Sequence, residues 1–367
     1  MRFVIACPGA SRTGGPEALH QLAHALSAGL GREARMLYQQ PLSEAVIAHY
    51  QALYPCPRED GPDAVRDAVL VLPESEDPRR WSAHAPRCVW SWFLSETMWH
   101  PVAAYGSCGI LCQSEAVRAM FAAPGGGLPD DVRMLGDYVR AVLPPGVRRR
   151  ACIAVNGARN AALASALERN HGLRVRLIAG LAPEEALRAV AGCDIYLDAG
   201  WHPGKDRGPR EAALLGCIVL TGRHGTASGP DVPLPDEHKL GDIHPSRIAD
   251  LVRAIRREPG RHLAMQAGYR AWIAGERDRF HAEVAALADA PLVGAGLQVD
   301  GRHAVLIDAI RGSANSRLDQ LVQLNAAAQG DFLPGRMTLA ARLIAPWSRL
   351  ASRLVNGAIA LVRRVRP

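Results

Sequence analysis

The sequence predicts an α/β protein of two Rossmann-like domains followed by a helical extension. Short apolar runs rich in β-branched residues alternate with helical patterns over roughly residues 1–290, the order of elements that builds a parallel sheet with helices on both faces. Runs such as Ile195–Leu197 and Ile218–Leu220 are apolar at every position, as expected of strands covered on both faces. A chain of 367 residues is also too long for a single ordinary core.

Glycine and proline mark the division between the two predicted domains. The interval 124–145 contains the strings PGGGLPDD and PPG, the strongest concentration of chain-breaking residues in the sequence. We therefore expect one domain over residues 1–145 and a second over residues 146–290. Residues 291–367 form the predicted helical extension.

The first predicted domain opens with a strand, a glycine loop and a helix. The strand Phe3–Ala6 leads to Gly14 and Gly15, and apolar residues at helical spacing follow from Pro16. The two glycines either allow a tight turn or lie beside a ligand, because the N-terminus of the helix after them attracts anions. The spacing is not GxGxxG, so a dinucleotide fingerprint is absent. Further strands are predicted at 34–38, 68–72, 88–92 and 110–112, with helices at 43–53 and 114–122.

The second predicted domain repeats this architecture without repeating the sequence. It begins with a strand at 152–155 and a loop, Asn156–Asn160, that carries Arg159. Further strands are predicted at 175–179, 195–197 and 218–220, with helices at 161–170, 183–191, 245–257, 261–289 and 303–328.

The basic charge of the chain lies mainly in its last residues. Lysine and arginine number 43 against 36 acidic residues, which gives a net charge of +7. No acidic residue follows Asp331, whereas seven arginines do, so the rest of the chain is formally neutral. A neutral body offers no basic surface to DNA or RNA, and we expect no nucleic-acid partner.

The C-terminal segment has the pattern of a basic amphipathic helix. Apolar residues from Leu339 to Val365 recur at steps of three and four, with arginines beside the stripe. Such a helix can lie on an anionic membrane surface, which would hold the protein, through residues 336–366, on the cytoplasmic inner face of the plasma membrane. Packing of the same stripe on protein is the alternative. No apolar run reaches the length of about 18 residues that predicts a membrane span.

The eight cysteines are predicted to be buried free thiols. They are scattered, several lie in strand-like runs, and no CxxC pair occurs. This usage is typical of a protein from a reducing compartment and favours neither a disulfide framework nor a zinc site.

The strongest functional signal lies between the strands at 195–197 and 218–220. Five charged residues crowd into seven positions there, in a loop expected outside the carboxyl ends of the strands, where α/β sheets bind ligands. Lys205 and Lys239 are the only lysines among the 43 basic residues, which indicates positions where a compact, flexible ammonium group is needed. The five charged residues are Lys205, Asp206, Arg207, Arg210 and Glu211.

These charges fit a nucleoside diphosphate bound at the start of a helix. Lys205, Arg207 and Arg210 would neutralise the charge that grows on a diphosphate when its bond to a sugar breaks. Glu211 would accept hydrogen bonds from two ribose hydroxyls. The alternative is an exposed, salt-bridged cap of little energetic weight.

Two neighbouring residues have more open roles. His202 ends the strand segment just before Pro203 and would serve as a base or a sugar contact, or would have no role in the site. Asp206 follows Lys205 directly and would orient its ammonium group. We include both among the candidate site residues.

The string GPREAALLGCIV, residues 208–219, resembles the donor-binding segment of GT-B glycosyltransferases, in which Glu-Ala-x-x-x-Gly precedes a strand and a glycine turn. The resemblance implies two Rossmann-like domains facing across a cleft, the first on the acceptor side and the second on the nucleotide-sugar side, with Glu211 at the donor ribose. We add Gly225, Thr226 and Lys239 to the predicted donor-binding residues. With GTASGPDVPLP after it, the string HPGKDRGPREAALLGC also resembles glycosyltransferase-like proteins of bacterial surface-polysaccharide clusters.

Two departures from the GT-B pattern leave the chemistry open. The commonest retaining pattern has two glutamates eight residues apart; Glu211 matches the second, and Pro203 stands where the first would be. That pattern also has a lysine after the first strand of the donor domain, for which Arg159 is the nearest substitute here. We expect a glycosyltransferase that moves a sugar from a nucleotide-sugar to a glycan or lipid-linked acceptor in cell-surface polysaccharide synthesis, without metal or cofactor. Donor sugar and stereochemistry stay open. The alternatives are a nucleotide-sugar epimerase and a catalytically silent binding or scaffold subunit.

Overall fold

The computed structural model describes residues 1–97, 99–100, 102–121 and 131–289. The described residues divide into two compact units, one of 1–139 with 203–206 and 274–289, the other of 140–202 with 207–273. None of the helices in these ranges combines the length and the apolarity needed to cross a bilayer. The helix predicted at 303–328 and the amphipathic tail lie outside the described residues, and the domain division at residue 145 stays a prediction.

The first unit is built on one parallel sheet. Its strands are β1 (Arg2–Pro8), β2 (Glu33–Gln39), β3 (Arg58–Glu59), β4 (Val69–Pro73), β5 (Cys88–Phe93), β6 (Gly109–Cys112) and β7 (Val132–Met134). Their order is β3-β2-β1-β4-β5-β6-β7, and every pair is parallel. The chain runs outward from β1 to β3 and then returns to the other side of β1, so the topological switch point lies between β1 and β4. The labelled helices along this stretch are α1 (Gly14–His24), α2 (Glu44–Leu53) and α3 (Glu115–Met120).

Both faces of this sheet are buried, which is why its strands are apolar at successive positions. Phe3 and Ile5 pack in one cluster with Leu22 of α1. Val4 and Ala6, which alternate with them along β1, belong to a second cluster on the opposite face. The uninterrupted apolar pattern of the sequence thus predicted a doubly covered parallel sheet correctly.

The second unit is built on a five-stranded parallel sheet. Its strands are β8 (Arg150–Asn156), β9 (Val175–Ile178), β10 (Cys193–Asp198), β11 (Ile218–Gly222) and β12 (Lys239–Leu240), in the order β12-β11-β10-β8-β9. The switch point therefore lies between β8 and β10. The helices are α4 (Gly157–His171), α5 (Pro183–Ala191), α6 (Arg207–Leu214), α7 (Pro245–Arg257), α8 (Pro259–Met265) and α9 (Ala267–Ala274), after which α10 (Glu276–Ala288) packs in the first unit.

The two parallel sheets with their helices confirm the predicted α/β class, but the single helix predicted at 261–289 is wrong. The chain forms three helices there, and Gln266 separates the first two with backbone angles of φ −95° and ψ 8°. Gln266 is fully buried, and its amide group bonds both the N–H and the C=O of Val219 in β11. Because glutamine is polar, the helical spacing of apolar residues in the sequence does not reveal that the helix ends at Gln266.

The expectation that all eight cysteines are free thiols is wrong for one pair. The structure joins Cys152 and Cys193, whose Cα atoms are 4.8 Å apart, in a disulfide. The pair arises because β8 and β10 are neighbours in the sheet although 41 residues separate the two cysteines along the chain. The other six cysteines are buried and free.

Candidate functional site

Asp198, the last residue of β10, is the centre of a polar cluster at the switch point of the second unit's sheet. It is fully buried. Its Oδ2 accepts a hydrogen bond from Asn156 Nδ2 at 2.7 Å, and its Oδ1 accepts from Asn160 Nδ2 at 3.0 Å and from the N–H of Gly200 at 3.3 Å. Because the carboxyl ends of β8 and β10 lie side by side, one carboxylate connects the loops that follow both strands.

The start of α4 is shaped to bring two amides into this cluster. Asn156 caps the helix by accepting the N–H of Ala158 on its side chain. Asn160 departs from helical geometry, with φ −130° and ψ 24°, so its side chain can also accept the N–H of Ala199. The same turn presents the predicted residue Arg159.

Arg159 and His202, both predicted for the site, are brought together around Asp198. Arg159 Nη1 donates to the carbonyl of Trp201 at 2.7 Å and lies 3.7 Å from Asp198 Oδ2, while about a quarter of its side chain, 27%, stays exposed. Gly200 is required here, because a Cβ on it would lie 2.8 Å from Arg159 Cβ. His202 is 1% exposed and donates from Nε2 to the carbonyl of Asp198. This buried hydrogen bond fixes the conformation of the loop between the two residues.

Gly225 and Thr226 join the same cluster from the loop after β11. His202 and Gly225 form a parallel β-bridge, and the N–H of Thr226 donates to the His202 carbonyl at 2.8 Å. Gly225 has a φ of 62°, and a Cβ there would overlap the His202 carbonyl. The glycine turn predicted from sequence is therefore tied to the loop that carries His202.

An aromatic pair that sequence reasoning missed adjoins these two loops. Trp201 and His224 stack with their rings 12° from parallel and their centroids 6.3 Å apart. Burial lowers the pKa of His224, so its ring stays neutral at physiological pH. The pair places a flat, largely uncharged surface next to Arg159 and Gly225.

Lys239 lies on β12 at the same end of the sheet, beside Thr221 of β11. Its Nζ donates to the carbonyl of Gly229 at 3.2 Å. Burial, with Arg223 as a second cause, lowers the pKa of Lys239. The place of Lys239 in a ligand site stays a prediction.

The three predicted residues of α6 occupy different environments. Arg207 and Glu211 face each other one turn apart, with Arg207 Nη2 and Nε at 2.9 and 3.0 Å from Glu211 Oε1. Arg210 is only 1% exposed and lies among the largest buried side chains. Arg207 and Glu211 thus form an ion pair that is only about one-fifth exposed, unlike the exposed cap considered from sequence, and Arg210 lies in the interior.

Lys205 and Asp206 belong to the first unit. The N–H of Lys205 donates to Gln113 Oε1 at 3.0 Å, and its Nζ lies 3.5 Å from Glu276 Oε1 and 4.0 Å from Asp137 Oδ1. Two buried carboxylates therefore accompany this buried ammonium group. Sequence could not predict this pairing, because Asp137 and Glu276 lie far away along the chain.

Gly14 and Gly15 form the first turn of α1 in the first unit, where Thr13 is the N-cap residue. A Cβ on Gly15 would make ordinary contact, 3.5 Å, with Leu94 Cδ1. Gly15 therefore adjoins Leu94, the residue that follows β5.

Three central members of the cluster, Asp198, Asn156 and Asn160, were missed by sequence reasoning. Short polar residues at the end of an apolar run read as ordinary turn residues. One signal was present, since Asn156 and Asp198 each follow a predicted parallel strand directly, and the carboxyl ends of such strands share one edge. The cluster they form presents the Arg159 guanidinium at this edge, a group whose fork geometry suits phosphate oxygens.

Comparison with known proteins identifies the fold. No protein-family model matches the chain, and no curated protein matches it. Among solved structures, HepE of Anabaena in complex with UDP and glucose aligns with a TM-score of 0.58 at 11% identity, over 79% of this chain and 100% of that one. The two chains share their fold. A glycosyltransferase from Rickettsia africae aligns with a TM-score of 0.51 at 10% identity, over 84% of this chain and 97% of that chain.

A protein of Listeria monocytogenes described as a UDP-N-acetylglucosamine 2-epimerase has the same fold. Its TM-score is 0.50 at 11% identity, over 78% of this chain and 96% of that one. At these identities the similarity establishes the fold alone. The activity has to be argued from the side chains.

Proposed function

We propose that the protein is a glycosyltransferase that moves a sugar from a nucleoside-diphosphate sugar to a hydroxyl-bearing acceptor. The observation that carries this proposal is the placement of Arg159 at the switch point of the second unit's sheet, held there by buried Asp198 and the Trp201 carbonyl. A partly exposed guanidinium at this edge suits a diphosphate, and HepE, which shares the fold, binds UDP and glucose.

The donor-binding roles follow the charges of the second unit. Arg159 and Arg207 neutralise the diphosphate, and Lys239 adds positive charge from β12. Glu211 accepts the ribose hydroxyls, and its pairing with Arg207 is compatible with this role because a carboxylate has about four lone-pair sites. The glycine turn at Gly225 and Thr226 allows close approach of the ligand. No metal ion or cofactor takes part in this scheme.

The remaining parts of the proposal concern acceptor and location. We propose residues 1–145 as the acceptor domain and residues 146–290 as the donor domain, acting on a glycan or lipid-linked acceptor in cell-surface polysaccharide synthesis. Residues 336–366, whose arginines flank an apolar stripe, would attach the protein to the cytoplasmic face of the plasma membrane. Co-sedimentation with anionic vesicles, with and without these residues, tests that attachment.

An epimerase is the second candidate, because the Listeria protein described as a UDP-N-acetylglucosamine 2-epimerase has the same fold. The two activities differ in their products. An epimerase releases nucleoside diphosphate and a rearranged sugar with no acceptor present, whereas a transferase joins the sugar to a hydroxyl. A silent binding subunit would bind a nucleotide-sugar and release nothing.

The direct experiment is a panel of UDP-, GDP- and dTDP-sugars incubated with the full chain, with and without a mixture of lipid-linked and oligosaccharide acceptors. We expect one donor to be cleaved, faster with acceptor, and at the same rate in EDTA because no metal is needed. Acceptor-independent formation of a rearranged sugar would establish the epimerase instead. If no nucleotide raises the melting temperature, the donor site itself is refuted, since ligand at 100 times its Kd should stabilise by about 2.7 kcal/mol.

A further inference from the structure

The stacked rings of Trp201 and His224 have no role in the proposed donor scheme. Trp201 lies in the loop after β10 and His224 in the loop after β11, and both belong to the second unit. The two rings are 12° from parallel, with centroids 6.3 Å apart, and each residue is half-buried. The pair is thus a partly exposed aromatic surface at the carboxyl end of the strands, where sheets of this class bind ligands.

The backbone beside the two rings fixes where they lie. The N–H of His202 donates to the His224 carbonyl at 3.4 Å, and His202 and Gly225 form a parallel β-bridge. The residue that follows each ring, or its own backbone, is therefore hydrogen-bonded to the other loop. Groups fixed in this way lose little conformational freedom when a ligand binds, so the aromatic surface is preorganised.

The part of the Trp201 side chain that a ligand can reach is apolar. Its single polar atom, Nε1, is buried, so whatever a ligand touches on this side chain is carbon. A Cβ on Gly225 would lie 3.0 Å from Nε1, and the glycine leaves room for this edge of the indole. His224 adds a second ring. Burial, with His202 as a second cause, lowers the pKa of His224, so this ring is uncharged at physiological pH.

An uncharged aromatic surface suits one face of a pyranose ring. The C–H groups on that face carry a small positive charge, whereas the face of an aromatic ring is negative. A carboxylate on the sugar would lose water beside these rings without gaining a partner from them, which costs free energy. The aromatic pair therefore favours a sugar without charge.

The position of Arg159 distinguishes the sugar of the donor from its base. Arg159 Nη1 donates to the Trp201 carbonyl at 2.7 Å, so the guanidinium is held by the same residue that carries the indole. In a nucleoside-diphosphate sugar the anomeric carbon is bonded directly to the diphosphate, whereas the ribose separates the base from it. A diphosphate at Arg159, with the ribose at Glu211, therefore brings the sugar to Trp201.

We propose that Trp201 and His224 bind the sugar of the donor and select an uncharged hexopyranose, a role that rests on the proposed glycosyltransferase function. One face of the pyranose packs on the two rings while Arg159 binds the diphosphate. The pair determines specificity and exchanges no proton with the substrate. Because it contacts the sugar, its removal weakens the binding of a nucleotide-sugar and leaves the binding of the free nucleoside diphosphate unchanged.

The first test compares two sugars on the wild-type chain and needs no variant. UDP-glucose and UDP-glucuronate differ only at C6, where a carboxylate replaces a hydroxymethyl group. We expect calorimetric titration to give at least about tenfold weaker binding for UDP-glucuronate. If the panel identifies a GDP- or dTDP-sugar as the donor, the corresponding hexose and uronate are compared on that nucleotide. Equal or tighter binding of the uronate overturns the proposed selection.

The second test is Trp201→Ala, titrated with UDP-glucose and with UDP, or with the donor that the panel identifies and its free diphosphate. We expect the nucleotide-sugar to bind about tenfold more weakly and the diphosphate to bind within about twofold of the wild type. Trp201→Phe keeps an aromatic face and should recover most of the loss. An equal loss for both ligands would assign the ring to the nucleotide, and no loss for either would exclude it from the site. Both outcomes contradict the proposal.

The matched control is Trp272→Ala in α9, which removes a tryptophan of the same unit that stacks with Tyr269. It should bind both ligands as the wild type does, and melting temperatures without ligand show that each variant is folded. An equal loss of nucleotide-sugar binding in Trp272→Ala would contradict a specific role for Trp201. If the wild type binds neither a nucleoside diphosphate nor any nucleotide-sugar, the glycosyltransferase function itself is refuted, so the two failures are distinguishable.

Discussion

At the scale of single residues, the Asp198 carboxylate holds together the loops that follow β8 and β10, because donors from both loops bind to it. Asn156, Asn160 and Gly200 all donate to the two oxygens of Asp198, which is fully buried. The arrangement fixes the backbone on both sides of Arg159. Loss of the carboxylate would be costly mainly because these donors would then be buried without hydrogen-bond partners.

An exchange of Asp198 and Asn156 tests this account. Asp198→Asn places an amide donor against an existing donor and should lower the free energy of unfolding by about 1–3 kcal/mol. Asn156→Asp alone should also destabilise, because it brings a second carboxylate to the first, although aspartate still caps α4. The double variant restores donor facing acceptor and should recover most of the loss, measured by denaturant unfolding as a double-mutant cycle.

Asp194→Asn is the control for this exchange. Asp194 lies near the other end of β10 and pairs with Arg256, and neither side chain is fully buried. Combined with Asn156→Asp, it should give additive losses. If the Asp198 and Asn156 variants are also additive, the hydrogen bond between these two residues is not what joins the loops.

Part of the site could be predicted from the sequence, whereas the rest depends on contacts between residues that are distant along the chain. Arg159, His202, Gly225 and Thr226 were all chosen from sequence and do gather at one edge, because loops after parallel strands share that edge. The carboxylates that pair with Lys205, those of Asp137 and Glu276, are supplied by tertiary structure. No local pattern encodes which compact unit a four-residue segment joins.

At the scale of elements, a chain of neutral side chains joins β11 to α8. Gln266 binds the backbone of Val219 and donates from Nε2 to His238 Nδ1 at 2.8 Å. His238 must then carry its proton on Nε2, which donates to His262 Nδ1 at 2.9 Å. Protonation of His238 at Nδ1 would place a donor against a donor, so the connection requires the neutral ring.

This connection predicts a loss of stability in acid. Burial, with His262 as a second cause, lowers the pKa of His238 from 6.5 to about 4. Between these two values the unfolded chain takes up a proton that the folded chain does not, so stability falls as pH falls, by up to about 1.4 kcal/mol per pH unit. The melting temperature of wild type should therefore drop between pH 7.5 and pH 5.

His238→Asn should melt lower at pH 7.5 and show a smaller drop on acidification, because the titrating ring is gone. His84→Asn, which removes a histidine of the first unit that faces Asp63, is the matched control and should retain the wild-type slope. An unchanged slope in His238→Asn would show that other groups carry the acid sensitivity.

The elements themselves were largely predictable. Every described strand of the sequence-based series lies at its predicted place, and the helices 183–191 and 245–257 have their predicted bounds. The spacing of apolar residues and a proline at the first helical position are local sequence features, and they are sufficient to locate such strands and helices. The break at Gln266 and the link between Cys152 and Cys193 depend on which strands become neighbours, and sequence order does not state that.

At the scale of the whole molecule, the proposed donor site around Arg159 belongs to one compact unit, the second. That unit is formed by residues 140–202 and 207–273. Residues 203–206 and 274–289 both belong to the first unit together with residues 1–139, so neither unit is a continuous stretch of chain. Which unit the two short segments join depends on tertiary packing, and glycine and proline in the sequence carry no information on it.

The central claim is that a nucleoside diphosphate binds at Arg159, and calorimetric titration of UDP and UDP-glucose into the full chain tests it most directly. We expect one site per chain, with binding at least about tenfold weaker in Arg159→Ala because a charge-assisted contact is lost. Arg256 of α7 pairs with Asp194 at the opposite end of β10, and Arg256→Ala should bind UDP as the wild type does. Absence of binding by the wild type, or equal affinity in Arg159→Ala, would contradict the claim.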